Sequence, residues 1–129
     1  MSCVFCDRIA RAELLISNDL AAAFHDGYPL NPGHTLIVPR RHEPDFLALT
    51  AGEQAAIWAL VEPARQLIEA SGTRPDGYNI GVNVGAAAGQ TIDHAHLHVI
   101  PRFSGDIDDP RGGVRWVVPA RAAYWSSSK

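Results

Sequence analysis

Three histidines stand at alternate positions in His94-Ala95-His96-Leu97-His98. Side chains of an extended chain point alternately to its two faces, so the imidazoles share one face while Ala95, Leu97 and Val99 share the other. With 6 histidines in 129 residues, three at chosen positions arise at roughly 1 in 10⁴ per start, or about 1% along the chain. Chance is therefore a poor account. Imidazole changes charge near neutral pH, so such a row can attack, ligate or donate. Three chemistries are open. A three-histidine metal centre could activate water, although the first and third residues of such a strand lie ~13 Å apart, too far for one ion. An unprotonated imidazole could be a nucleophile. The face could also simply bind phosphate. Gln90 and Thr91 favour the last two. They follow the small-residue loop Gly85-Ala86-Ala87-Ala88-Gly89, whose open backbone lets N–H groups and both side chains approach phosphate oxygens.

Cys3-Val4-Phe5-Cys6 is the second constellation. The N-terminus lacks the basic-then-apolar layout of a secretory leader, so the chain is expected to be cytoplasmic. Two cysteines this close would staple nothing as a disulfide, and read instead as a redox pair or as half of a zinc site. A redox pair normally follows a strand, and no strand pattern precedes this one, which favours metal. The alternative is a pair of small hydrophobes in a docked N-terminus.

The elements that must position these residues follow from pattern. The length suits one domain over residues 1–129, and hydrophobic residues at 47% can build its core. A net charge of -3 argues against nucleic acid or acidic lipid as a bulk-charge partner, and no apolar run approaches the ~20 residues of a membrane span. Leu20 to Phe24 reads as a strand before a His25-Asp26-Gly27 turn, where Asp26 is a candidate turn cap. Asn31-Pro32-Gly33 is a second turn, leading into a strand from His34 to Val38 that stops at Pro39. Thr50 and Glu53 form a capping box for a long helical pattern, Ala55 to Ala70, which Pro63 should break near Val61. Tyr78 to Val84 reads as a strand with Asn83 near its end, and His94 to Ile100 as another, closed by Pro101. Short strands, one broken helix and short connections predict an α+β fold with an antiparallel sheet.

At these residues the chain resembles the histidine triad family. Its signature, His-φ-His-φ-His-φ-φ with φ apolar, is complete in His94-Ala95-His96-Leu97-His98-Val99-Ile100. The likeness extends to Gly89-Gln90-Thr91, Asn83-Val84-Gly85, the run from Pro32 to Pro39, Phe24-His25-Asp26 and the cysteine pair, so that Cys3 to Arg102 follows the family in order and spacing. The resemblance implies about five antiparallel strands with two helices, a homodimer, and a nucleotide substrate. It implies that His96 attacks the α-phosphorus to form a nucleotidyl-imidazole that water resolves, with His98 on the phosphate oxygens. It places His34 behind His98, Asn83, Gln90 and Thr91 around the phosphates and leaving group, and Asp26 on the ribose hydroxyls. Members with the cysteine pair complete a structural zinc site with two histidines, which here are His42 and His94. The implied activity is hydrolysis or nucleotidyl transfer on dinucleoside polyphosphates, with nucleoside phosphoramidate hydrolysis and a binding protein with incidental turnover as alternatives.

Residues 103–129 lie beyond the matched core. Turn residues dominate there, followed by a short strand pattern at Val114 to Val118. Arg102, Arg111 and Arg115 could hold a longer phosphate chain, or could balance Asp106, Asp108 and Asp109 as solvated loop charges. Trp116, Tyr124 and Trp125 could close over a base or a partner, or anchor the terminus. The tail Ser126 to Lys129 is expected to fray.

Overall fold

The computed structural model describes residues 2–125, so the expected fraying at 126–129 lies outside the described residues. Five antiparallel strands form one sheet: β1 (Ile16–Ser17), β2 (Ala21–His25), β3 (Thr35–Pro39), β4 (Gly77–Val82) and β5 (Leu97–Arg102), in the order β1-β2-β3-β5-β4. Among the described residues four α-helices accompany it: α1 (Val4–Ala10), α2 (Ala51–Ala59), α3 (Val61–Ala70) and α4 (Pro119–Ala122). The expected α+β sheet is present.

The sheet is covered on both faces where β2 and β3 cross it. Ala21, Ala23, Ile37, Leu97 and Val99 pack with Ile57 of α2 and with Ala64 and Ile68 of α3. Ala22, Phe24, Leu36 and Val38 turn the other way, onto Phe5 of α1. The alternation of these short side chains decides which layer each strand residue joins. Because α1 is only 7 residues long, it roofs one part of that second face and leaves the rest, over β5 and β4, as an open cleft.

The helical pattern breaks at Leu60, whose N–H donates to the Ile57 carbonyl as a C-cap. Pro63 then falls in the first turn of α3, where a missing N–H costs nothing. The capping box is complete, Glu53 N–H to Thr50 Oγ1 at 3.0 Å and Thr50 N–H to Glu53 Oε1 at 2.9 Å. Arg41 also clasps Glu53 through Nε and Nη2, each at 2.9 Å, which ties the segment carrying His42 to the start of α2.

Two expectations need correction. The histidine strand does not run from His94: β5 begins at Leu97 and continues through Pro101 to Arg102. Only Leu97 to Val99 pair with β3. Before them Ala95 N–H donates to the Glu43 carbonyl at 2.7 Å, a loop partner outside the ladder. Pro101 is tolerated because β3 no longer pairs there, and its carbonyl accepts from Asn31 Nδ2 at 2.9 Å. Second, Val114 to Val118 is not a strand. Gly113–Val117 is a 3₁₀ turn entered through Gly112 at φ +93°, and α4 follows. Helix α1 and the two-residue β1 were not anticipated, being too short for a periodic signal.

Candidate active site and metal centre

His96, His98, His34, Asp26, Asn83, Gly89 and Thr91 line one cavity of about 380 Å³, walled on its far side by Val4, Phe5 and Arg8 of α1 together with Leu36 and Ile92. The cleft beside α1 is thus where the sequence-derived residues meet. His96 is buried and its Nδ1 lies 2.8 Å from the His94 carbonyl oxygen. A carbonyl only accepts, so Nδ1 carries the proton and Nε2 keeps its lone pair. Phe5 packs against the ring nearly edge-on, with centroids 5.1 Å apart at 73°. One hydrogen bond fixes the tautomer of the neutral ring and one aromatic contact fixes its orientation, so the lone pair of the neutral ring is at Nε2.

His98 is placed by register, opposite Leu36 on β3 and Gly81 on β4. Gly81 has no side chain to crowd the imidazole. The Leu30 N–H donates to His34 Nδ1 at 3.0 Å, which forces the His34 proton onto Nε2. That proton points at His98 Nδ1, 2.9 Å away, with Asp26 Oδ2 at 3.4 Å. His98 therefore accepts at Nδ1 and, when neutral, bears its own proton at Nε2, ready to donate. The same tautomer argument excludes a metal at the Asp26, His34 and His98 cluster, because both atoms of His34 that could ligate are already used.

Burial, with His96 and His34 beside it, holds the His98 pKa down at about 4. The ring is neutral at physiological pH and donates without carrying charge. An unfolded histidine titrates near ~6.5. Between ~6.5 and about 4 the unfolded chain takes up this proton while the folded one does not, so His98's contribution to stability is lost as pH falls through that window. In an NMR titration the folded His98 ring signals are expected to stay flat from about pH 8 to about pH 5. A midpoint near 6.5 in the folded protein would refute that environment.

Gln90 does not line the cavity. Its Oε1 accepts from Gly85 N–H at 2.9 Å, and its Nε2 donates to the carbonyls of Pro44 and Ile92 at 2.7 and 3.0 Å. The side chain staples the small-residue loop and so sets where Gly89 and Thr91 stand. The arginines of the C-terminal segment are also engaged. Arg102 is held on Asp106 by two bonds of 2.7 Å and Arg111 on Asp109 at 3.0 Å, while Arg115 donates to the Ala122 and Arg121 carbonyls, both at 2.9 Å. Trp116 and Tyr124 pack edge-on against Trp125. The cavity residues not singled out from sequence include Val4, Phe5, Arg8, Tyr28, Leu30, Leu36 and Ile92. For Val4 and Phe5 a signal was present: a metal shared by Cys3, Cys6 and His94 would bring the intervening residues alongside His94.

Cys3, Cys6, His42 and His94 place four ligand atoms within 4.8 Å of one another. His94 Nε2 donates to the Pro39 carbonyl at 2.9 Å, so its lone pair is at Nδ1, which lies 3.4 Å from Cys3 Sγ and 3.5 Å from Cys6 Sγ. His42 Nδ1 is 3.4 Å from Cys6 Sγ. In a tetrahedral zinc site the nitrogen-to-sulfur separation works out at ~3.5 Å from the bond lengths. The donor set and the spacing both fit. Burial, and then the adjoining Cys3, push the Cys6 thiol up; a divalent cation would favour both thiolates. The four residues could hold a metal ion.

The HIT domain model matches residues 8–105, which is most of the chain. This protein belongs to the HIT family. An uncharacterised HIT-like protein of Saccharolobus solfataricus is 36% identical over 109 residues, covering 82% of this chain and 78% of that protein. The asymmetrical bis(5′-nucleosyl)-tetraphosphatase of Schizosaccharomyces pombe is 35% identical over 98 residues, which span 76% of this HIT chain but only 53% of the yeast protein. Among solved structures, a zinc-bound histidine triad family protein from Mycobacterium smegmatis superposes with a TM-score of 0.74 at 31% identity, covering 100% of this chain and 99% of its own. That likeness spans more of the chain than the residues that the family model matches.

Proposed function

We propose that this HIT protein is a nucleotide hydrolase or nucleotidyl transferase that attacks the α-phosphate of a dinucleoside polyphosphate through His96 and releases a nucleoside monophosphate. The observation that carries the reading is the 2.8 Å bond from His96 Nδ1–H to the His94 carbonyl, which leaves Nε2 free beside His98. In the first displacement the Nε2 lone pair forms a bond to phosphorus while the bond to the departing phosphate oxygen breaks with its electron pair. The ring then carries positive charge, which the His94 carbonyl stabilises through the Nδ1 proton. His98 Nε2–H donates to a phosphate oxygen, Asp26 receives the ribose hydroxyls, and Asn83 and Thr91 contact the phosphate and the leaving group. In the second displacement water attacks phosphorus, loses a proton to solvent, and returns the electron pair to Nε2.

The yeast tetraphosphatase supports a polyphosphate substrate. A phosphoramidate is the second reading, favoured by one observation: Arg102 and Arg111 are already paired with Asp106 and Asp109, so neither is a free cation for a long phosphate chain. Zinc is the metal proposed for Cys3, Cys6, His42 and His94, in a closed structural site. Both cysteines are free thiols, which supports a reducing, cytoplasmic setting. The free edge strand β4 carries no charge and no proline, which supports a homodimer formed along it. Chromatography of the products from a diadenosine polyphosphate and from an adenosine phosphoramidate tests the proposal. AMP release from the first at the higher kcat/KM is expected; preference for the phosphoramidate selects the second reading, and release from neither refutes both.

A further inference from the structure

One charged side chain in the cavity wall takes no part in the chemistry above. Arg8 projects from α1, and its guanidinium carbon lies 4.2 Å from the centre of the Phe24 ring while Nη1 donates to the His25 carbonyl at 2.6 Å. These contacts hold the planar group in place. Its other N–H groups have no protein partner among the described residues. Phe24 is packed in one group with Phe5, Leu36 and Ile92, and the last three belong to the cavity's apolar lining with Val4 and Leu30. With the imidazoles taking the phosphate, that lining is what can bury a flat heterocycle, and Arg8 stands at its margin.

We propose that Arg8 reads the edge of the base and selects a 6-oxopurine nucleotide over an adenine nucleotide. The inference rests on the nucleotide reading of this cavity given above. A guanidinium only donates. Guanine presents two adjacent acceptors, O6 and N7, that match its fork, whereas adenine presents N7 beside an N6 amino donor. Adenine would set its amino donor against the guanidinium donor at this place.

The test is calorimetric titration of the full chain with GMP, IMP and AMP, for wild type, Arg8→Leu and Arg8→Lys, with thermal melts as the folding control. GMP and IMP are expected to bind about 10-fold or more tighter than AMP. Arg8→Leu should bring all three within about 2-fold. Arg8→Lys keeps the charge without the fork; it should lose most of the preference, and it carries the test if Arg8→Leu does not fold. AMP bound as tightly as GMP by wild type, or a preference that survives both substitutions, overturns the proposal while leaving a nucleotide site. Tight GMP with weak IMP would also overturn it, by moving the selectivity to the 2-amino group. If none of the three binds to wild type, the nucleotide reading itself fails and this inference falls with it.

Discussion

His96→Ala is expected to lower nucleotide release by at least about 10⁴-fold while nucleotide affinity stays within about 3-fold of wild type. The two halves separate because in the proposed mechanism the ring contributes an attacking lone pair, and the cavity's other walls remain. Removing a donor to developing phosphate charge is a smaller loss, so His98→Ala should cost on the order of 10²-fold. Acid-quenched wild type caught during turnover should carry one nucleotidyl group on the peptide containing residues 94–98, and the His96 variant none. Activity of His96→Ala within about 10-fold of wild type would mean that another group attacks phosphorus. Loss of binding together with loss of turnover would point to a collapsed site.

Metal removal should be the largest effect on stability. Structural zinc contributes folding energy directly, since the unfolded chain has no assembled site. For a domain of this size ~1 kcal/mol corresponds to roughly 3–5 °C of Tm, so loss of several kcal/mol should lower Tm by roughly 10–20 °C, whether by a strong chelator or by Cys6→Ser. His42 is exposed, at the rim, and His42→Ala should cost less. Elemental analysis should find one zinc per chain. The His96 Nδ1–H resonance should broaden on chelation, because the carbonyl that holds it belongs to His94. No bound metal, with Cys6→Ser melting within about 2 °C of wild type, would reduce the cysteines to small hydrophobes.

The histidine row was legible because alternation survives without a ladder. His94 and His96 precede β5, yet Ala95 still joins Leu97 and Val99 in the helix-facing core, since an extended backbone alternates whether or not it is paired. The true strand start was not legible, because it depends on where β3 ends its pairing. Gln90 looked like a phosphate contact by type and neighbourhood; its commitment to Gly85, Pro44 and Ile92 needs a loop 46 residues upstream, which local sequence cannot place. The three acidic residues in 106–109 gave no way to tell which would neutralise Arg102. The pattern from Val114 to Val118 has a strand's β-branched composition, but Gly112 and Gly113 at positive φ turn the chain before a strand can extend.

His94 performs three tasks with three different atoms: Nδ1 faces the thiols, Nε2 holds Pro39, and the carbonyl oxygen fixes His96. The first two need a histidine, but every amino acid has a carbonyl. Inheritance of the proposed metal site and inheritance of the proposed nucleophile are therefore separable. A descendant could discard both cysteines and both ligand histidines, fill the space with apolar packing, and keep its chemistry provided the backbone at position 94 stays where it is. The ligand quartet should thus evolve as a block that is gained or lost together, while His96 stays fixed through either history.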